Sequence, residues 1–215
     1  MSLLDPSPPL RTKICGITTP EDAEMAALAG ADALGFNFFP KSVRHLDFER
    51  ERGWIELLRG RADRVAVVVN TSPAELGKLV KSGCFEWIQF HGDETPAFCE
   101  EHGGPQWIRA VRVKDEHSLE SALNYNTPYL LFDSWSESGY GGTGTRLNWD
   151  LMRNFAVRNP RRRIILAGGL TPHNVREAVR IVRPHAVDVA SGVELEQRRK
   201  NEYLVREFIR VAATA

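Results

Sequence analysis

The stretch RTKICGIT, residues 11–18, places a thiol where an apolar run stops at a glycine. Cys15 either fills a core there or stands at the mouth of a site. Other apolar runs also stop on chemistry: Asn37 and Phe39 close the second, Asn70 the third, His91 the fourth, Arg112 the fifth and Asp133 the sixth. A thiol, an imidazole and a carboxyl can each give or take a proton near neutral pH once burial or a neighbouring charge adjusts them. The last two runs stop on small residues, Gly168 with Gly169 in LAGGLTPHNV and Ser191 with Gly192 in DVASGVE. Bare backbone N–H groups beside a helix start suit an anion such as phosphate. One Gly-Gly turn is only a tight turn; two such ends, at the seventh and eighth loops of a barrel, favour phosphate. The segment SGYGGTGTR, after the sixth run, reads as a flexible lid or as an ordinary surface loop.

For these residues to act together, the chain must bring distant run ends to one place. TKIC, ADALGFNF, RVAVVVN, CFEWIQF, QWIRAV, PYLLFD, RRIILA and HAVDVA are near-continuously apolar, the mark of strands buried on both faces. Amphipathic stretches lie between them. TTPEDAEMAALAG opens with Thr, Pro and two acids and closes on Gly30, and TSPAELGKLVKSG and TPHNVREAVRIV begin with the same signals. Eight strand-then-helix units with short connections predict a single (β/α)8 barrel whose strand carboxyl ends face a common pocket. A doubly wound sheet is the competing architecture, but no G-x-G-x-x-G follows the first strand, where CGIT holds the single Gly16. Residues 1–9, rich in Pro and Ser, read as a disordered tail, and 10–215 as the catalytic domain.

Composition narrows the partner. With 28 basic and 28 acidic residues, no global field draws the chain to nucleic acid or to an anionic membrane. The start, MSLLDPSPPL, lacks a basic segment followed by an apolar one, and no run of about 18 apolar residues follows, so the chain reads as cytoplasmic with a small-molecule partner. Cys15, Cys84 and Cys99 form neither a disulfide framework nor a paired metal motif, which suits a reducing cytosol. The clusters RRR, residues 161–163, and RRK, residues 198–200, read as solvated charge.

The motifs KICGIT, GFNFFPKSVR, IQFHGDE, LLFDS followed by GYGGTG, LAGGLTPHNV and DVASGVE occur in the order and approximate spacing of the phosphoribosylanthranilate isomerases of tryptophan biosynthesis. The chain resembles that family from about residue 12 to residue 210. The resemblance implies a (β/α)8 barrel that converts N-(5-phosphoribosyl)anthranilate to 1-(2-carboxyphenylamino)-1-deoxyribulose 5-phosphate by an Amadori rearrangement, with no metal and no organic cofactor. It further implies that Cys15 is the base and Asp133 the acid, and that Arg44 of PKSVR holds the anthranilate carboxylate through its two-donor fork. Gly168, Gly169, Ser191 and Gly192 would bind phosphate, and His91 and Asp188 would line or support the pocket. The base role asks that Cys15 sit below the ordinary thiol value of about 8.5, and the acid role that Asp133 sit above that of a free carboxyl.

The sequence departs from the family at Val43, where proline is common, at VAVVVN, where Gly and Phe are usual, and at LEQRRKN after SGVE, where Pro-Gly is typical. These bear on the pocket rim and the eighth loop. Three other readings compete. An indole-glycerol-phosphate synthase would carry catalytic lysines at strand ends, where this chain has none. An aminoimidazole ribotide isomerase would carry Asp in place of Cys15. A non-catalytic binding barrel would not need Cys15, Asp133 and Arg44 together.

Overall fold

The structure, a computed structural model, describes residues 10–134 and 147–215. Its strands are β1 (Arg11–Cys15), β2 (Ala33–Asn37), β3 (Asp63–Val68), β4 (Trp87–Phe90), β5 (Trp107–Val113), β6 (Tyr129–Ser134), β7 (Arg163–Leu166) and β8 (Ala186–Val189). They pair in chain order, and β8 returns to lie parallel to β1, so the sheet closes and has no edge. Closure excludes the doubly wound alternative. The readings of residues 1–9 as a tail and of SGYGGTGTR as a lid lie outside the described residues.

The helices are α1 (Pro20–Leu28), α2 (Phe48–Glu56), α3 (Pro73–Lys81), α4 (Pro96–His102), α5 (Glu116–Ala122), α6 (Trp149–Arg158), α7 (Val175–Val182) and α8 (Glu202–Ala213). The Thr-Pro and Ser-Pro signals start α1 and α3 as expected: Thr19 and Ser72 accept the N–H groups of Asp22 and Glu75, with proline in the first turn. The third such signal does not start its helix. After Thr171–Pro172 the chain runs on to Asn174, whose side-chain oxygen accepts the Thr171 N–H and whose amide donates to the Gly169 carbonyl, and α7 begins only at Val175. The side chain that could have capped α7 instead braces the seventh loop.

Strand periodicity sorts the side chains. Ala33, Val65, Val67, Trp87, Ile108, Ala110, Leu131, Ile165, Ala167 and Ala186 pack together inside the barrel, and Cys15 and Tyr129 lean on them. The intervening residues, among them Ile14, Leu34, Phe36, Leu130, Phe132 and Val187, face the helices in a larger cluster. Because the side-chain period is two, Lys13 shares the interior face with Cys15, Gln89 with Trp87, Asp133 with Leu131, and Asp188 with Ala186.

Two elements were not foreseen. A single 3-10 turn, Ser191–Val193, follows β8, and a short hairpin, β9 (Glu194–Glu196) and β10 (Arg199–Lys200), carries the eighth loop. Both corrections to the charge clusters follow from loop geometry. The hairpin turns Lys200 inward, where it is buried rather than solvated. Arg162 spans the α5–β6 connection and donates to the carbonyls of Leu123, Tyr125 and Thr127. Among the described residues no helix is long and apolar enough to cross a membrane.

Arg183, exposed at the end of α7, adopts φ 52°, a left-handed conformation that costs a residue with a Cβ about 1 kcal/mol. Arg183→Gly is therefore expected to raise unfolding free energy by roughly 0.5–1 kcal/mol in urea titration. A fall would show that the arginine side chain contributes more than the backbone strain removes.

Candidate active site

The carboxyl ends of the strands gather most of the expected residues. Cys15 ends β1 and is partly exposed at the top of the barrel interior. Its neighbour in register is Gly35. A Cβ on Gly35 would lie 2.7 Å from Cys15 Sγ and 3.0 Å from Lys13 Nζ, so only glycine leaves room for both groups. Burial pushes the thiol up from its ordinary value, Asp188 adds to the push, and the Lys13 ammonium opposes it only in part. This corrects the expectation of a lowered thiol.

Asp133, near the end of β6 across the barrel, is buried. One oxygen accepts the Ser134 N–H at 2.8 Å, and the other lies 3.5 Å from His91 Nε2. His91 follows β4 on the interior face, and its Nδ1 is 3.1 Å from Gln89 Nε2. Which of the two donates depends on the imidazole tautomer, and the His91 Nε2 faces Asp133. Gln89, fully buried inside the barrel, was not anticipated.

Arg44 comes from the β2–α2 loop and lies across Gly16, where any Cβ would meet its Cδ. Its Nε and Nη2 donate to the two oxygens of Glu194 at 2.9 and 2.6 Å. Lys200 Nζ donates to the same carboxylate at 2.7 Å and to the Ala190 carbonyl at 3.0 Å. Burial alone would push Glu194 up, but hydrogen bonds and charge from Arg44 and Lys200 hold it below the ordinary glutamate value. Neither Glu194 nor Lys200 was expected. Their signal lay in the motif SGVELEQRRK, whose even spacing across a tight turn returns position 200 to the side of position 194.

Gly168 and Gly169 take φ 81° and 67°, and Ser191 and Gly192 open the 3-10 turn. A Cβ on Gly192 would lie 1.9 Å from the Leu170 carbonyl oxygen, so glycine is what lets loops seven and eight touch. The N–H groups of Gly168, Gly169, Ser191 and Gly192 have no protein acceptor among the described residues. One small cavity joins these four residues to Asp133 and Asp188. Asp188 itself is turned to Lys13, with Oδ1 2.8 Å from Nζ. Other strand ends serve the loops: Asn37 accepts the Phe39 N–H, the Asn70 N–H donates to Glu94, and Arg112 pairs with Asp93.

The assembly sets a thiol and a carboxyl on opposite walls, the Gly168–Gly169 and Ser191–Gly192 loops between them and a guanidinium on the rim. Cys84 and Cys99 lie away from it and are buried, with Cys99 pushed up to about 12. In the folded protein, iodoacetamide is therefore expected to alkylate Cys15 alone, with a pH midpoint above the ordinary thiol value of about 8.5. Peptide mass spectrometry across a pH series measures this; a midpoint below 8 would restore the lowered thiol.

Comparison with known proteins follows the same lines. The model of the family described as N-(5'phosphoribosyl)anthranilate (PRA) isomerase matches residues 12–211. The N-(5'-phosphoribosyl)anthranilate isomerase of Trichlorobacter lovleyi is 45% identical over 206 residues, covering 96% of this chain and 99% of that protein. That of Geobacter sulfurreducens is 46% identical over 203 residues, with 94% and 98% covered. The crystal structure of phosphoribosyl anthranilate isomerase from Thermotoga maritima superposes with a TM-score of 0.87 at 38% identity, covering 96% of this chain and all of that one. A structure of the enzyme in complex with reduced 1-(o-carboxyphenylamino)-1-deoxyribulose 5-phosphate gives a TM-score of 0.83 at 36% identity, with 96% of this chain and 100% of that chain covered.

Proposed function

Because the chain belongs to the N-(5′-phosphoribosyl)anthranilate isomerase family, we propose that its reaction runs on Cys15 as base and Asp133 as acid. The protein is an isomerase of tryptophan biosynthesis that turns N-(5-phosphoribosyl)anthranilate into 1-(2-carboxyphenylamino)-1-deoxyribulose 5-phosphate. The synthase, ribotide isomerase and non-catalytic readings of the sequence fall with that identification.

The observation that carries the assignment is the meeting of Cys15, Asp133 and the anion cradle at one barrel mouth, with Asp133 and the cradle lining a single cavity. Phosphate bound at Gly168, Gly169, Ser191 and Gly192 would receive four backbone N–H groups and lay the ribose between the two walls. Asp133 gives its proton to the ring oxygen as the C1′–O bond breaks, and the anilino nitrogen lone pair closes a C1′=N iminium. The Cys15 thiolate then takes the proton from C2′. The C2′–H electrons form C1′=C2′, and the iminium electrons return to nitrogen, giving the enolamine. Loss of the proton from the 2′-hydroxyl and gain of one at C1′ complete the ketone, so the whole is proton-neutral.

In this reading His91, with Nε2 3.5 Å from the Asp133 carboxyl, would steer that carboxyl toward the ring oxygen. Glu194 occupies the Nε side of Arg44, which leaves Nη1 and the second Nη2 proton for the anthranilate carboxylate. A guanidinium fixed on one edge presents the other as a rigid fork. The three free cysteines are in keeping with a reducing cytosol as its location.

Turnover, followed by loss of substrate fluorescence, tests the pair. Cys15→Ala and Asp133→Asn should each lower kcat by at least about 10²-fold while KM stays within roughly tenfold, because a proton transfer is lost and binding is not. Near-normal turnover in either variant removes that residue from the mechanism. Arg44→Ala should weaken a product analogue bearing the carboxylate by about 2–4 kcal/mol and leave one lacking it almost untouched. Arg44→Lys should recover only part of the loss. Equal weakening of both analogues would reduce Arg44 to a support for the second loop.

A further inference from the structure

Lys13 is a fully buried cation in the middle of a strand, and the proton transfers above do not use it. It stands two residues before Cys15 on the interior face of β1, in the layer directly beneath the thiol. Its Nζ is 2.8 Å from Asp188 Oδ1, and Lys13 and Asp188 are partners in the β1–β8 register. It also reaches upward. Cys15 Sγ and Lys13 Nζ flank the one gap that Gly35 leaves open, at 2.7 and 3.0 Å from where a Cβ would lie, so the ammonium and the thiol face each other across it.

We propose that Lys13 is the counter-charge of the Cys15 thiolate, a positioning residue that shares its ammonium between Asp188 and sulfur and moves toward sulfur when Cys15 gives up its proton. When the thiolate takes the C2′ proton, the C2′–H electrons stay with the substrate, the sulfur becomes neutral, and Lys13 settles back on Asp188. Nothing is oxidised or reduced. Four charged groups face the thiol: Lys13 on β1, Asp188 on β8, Arg44 from the β2–α2 loop and Lys200 on β10, with Glu194 of β9 behind the last two. Arg44 and Lys200 are both committed to Glu194. Lys13 is the cation that shares the Gly35 gap with sulfur, and Asp188, 2.8 Å from its Nζ, competes for its charge. Gly35 keeps the way between them clear.

The proposal rests on Cys15 as the base, but its test does not, because alkylation reads the thiolate without turnover. Iodoacetamide labelling of Cys15 against pH is compared in the wild type, Lys13→Gln, Asp188→Asn and the double variant, all free of substrate. The midpoint should rise by about one pH unit or more in Lys13→Gln, since an opposite charge is lost. It should fall in Asp188→Asn, where the ammonium is released to sulfur. A merely structural role would not move the two variants in opposite directions. An unchanged or lower midpoint in Lys13→Gln, or a higher one in Asp188→Asn, overturns the proposal. Should Lys13→Gln not fold, because Asp188 is left buried without a cation, the double variant is compared with Asp188→Asn. A midpoint higher in the double variant supports the counter-charge; equal midpoints refute it. If the labelling follows the expected pattern while Cys15→Ala still turns over, Lys13 stands as counter-charge and the base assignment alone falls.

Discussion

The ion pair of Lys13 and Asp188 sits where the first strand meets the last, and the site depends on it twice. The seam closes the barrel, and the pair lies in the register of that seam beneath the catalytic layer. Two charges this deep lose much of their hydration, and their mutual attraction returns that loss only in good geometry. Burial would push Lys13 down, yet Asp188 and Cys15 together hold it above its ordinary value, so it stays an ammonium. A one-residue slip of β8 against β1 would turn Asp188 outward and leave the lysine alone in the core. The pair therefore penalises the wrong closure as well as charging the right one.

Above this layer the site is built from side chains that are paired before substrate arrives. Arg44 is held by Glu194, Glu194 by Lys200, and Lys200 by the Ala190 carbonyl that leads into the anion cradle. Arg44 and the eighth loop thus belong to one connected network. Such fixed dipoles and charges stabilise a charged ligand without the reorganisation that flexible groups would need. The segment that departs from the family's usual sequence supplies Lys200, because Arg198 takes the left-handed turn at φ 75° and lets β10 fold back on β9.

How much of this could be read from the chain alone follows from the period of a strand. Near-continuous apolar runs separated by capped amphipathic stretches identify eight strand-helix units, and the residues ending those runs are Cys15, His91, Asp133, Gly168 and Ser191 or their neighbours. Asp188 was expected to line or support the pocket; what escaped was its partner inside the first run, Lys13. A lysine within TKIC and an aspartate within AVDVA are each improbable in a buried strand, and the two are improbable together unless they meet. Only the closing register of β1 with β8 supplies that meeting, and register between strands 175 residues apart is a tertiary fact. The same holds for Glu194 and Lys200: RRK resembles solvated charge until the hairpin folds it inward. The start of α7 escaped for a local reason, since Asn174 had two backbone groups to satisfy and chose the loop.

The upward push on Cys15 ceases to be a contradiction once the whole layer is considered. A thiol held down would exist as thiolate more often but would be a weaker base, because basicity falls with pKa. On the proposed mechanism the proton at C2′ is acidic only while the iminium lasts, so a strong base present when the ring opens would serve better than a weak one always present. Burial would then supply the strength, and the ammonium two residues below a place for the charge. On the same proposal Asp188, bonded to Lys13, would set the balance between them. With Cys15 as the base, as proposed, its strength would be set by three residues on two strands, Lys13 and Cys15 on β1 and Asp188 on β8.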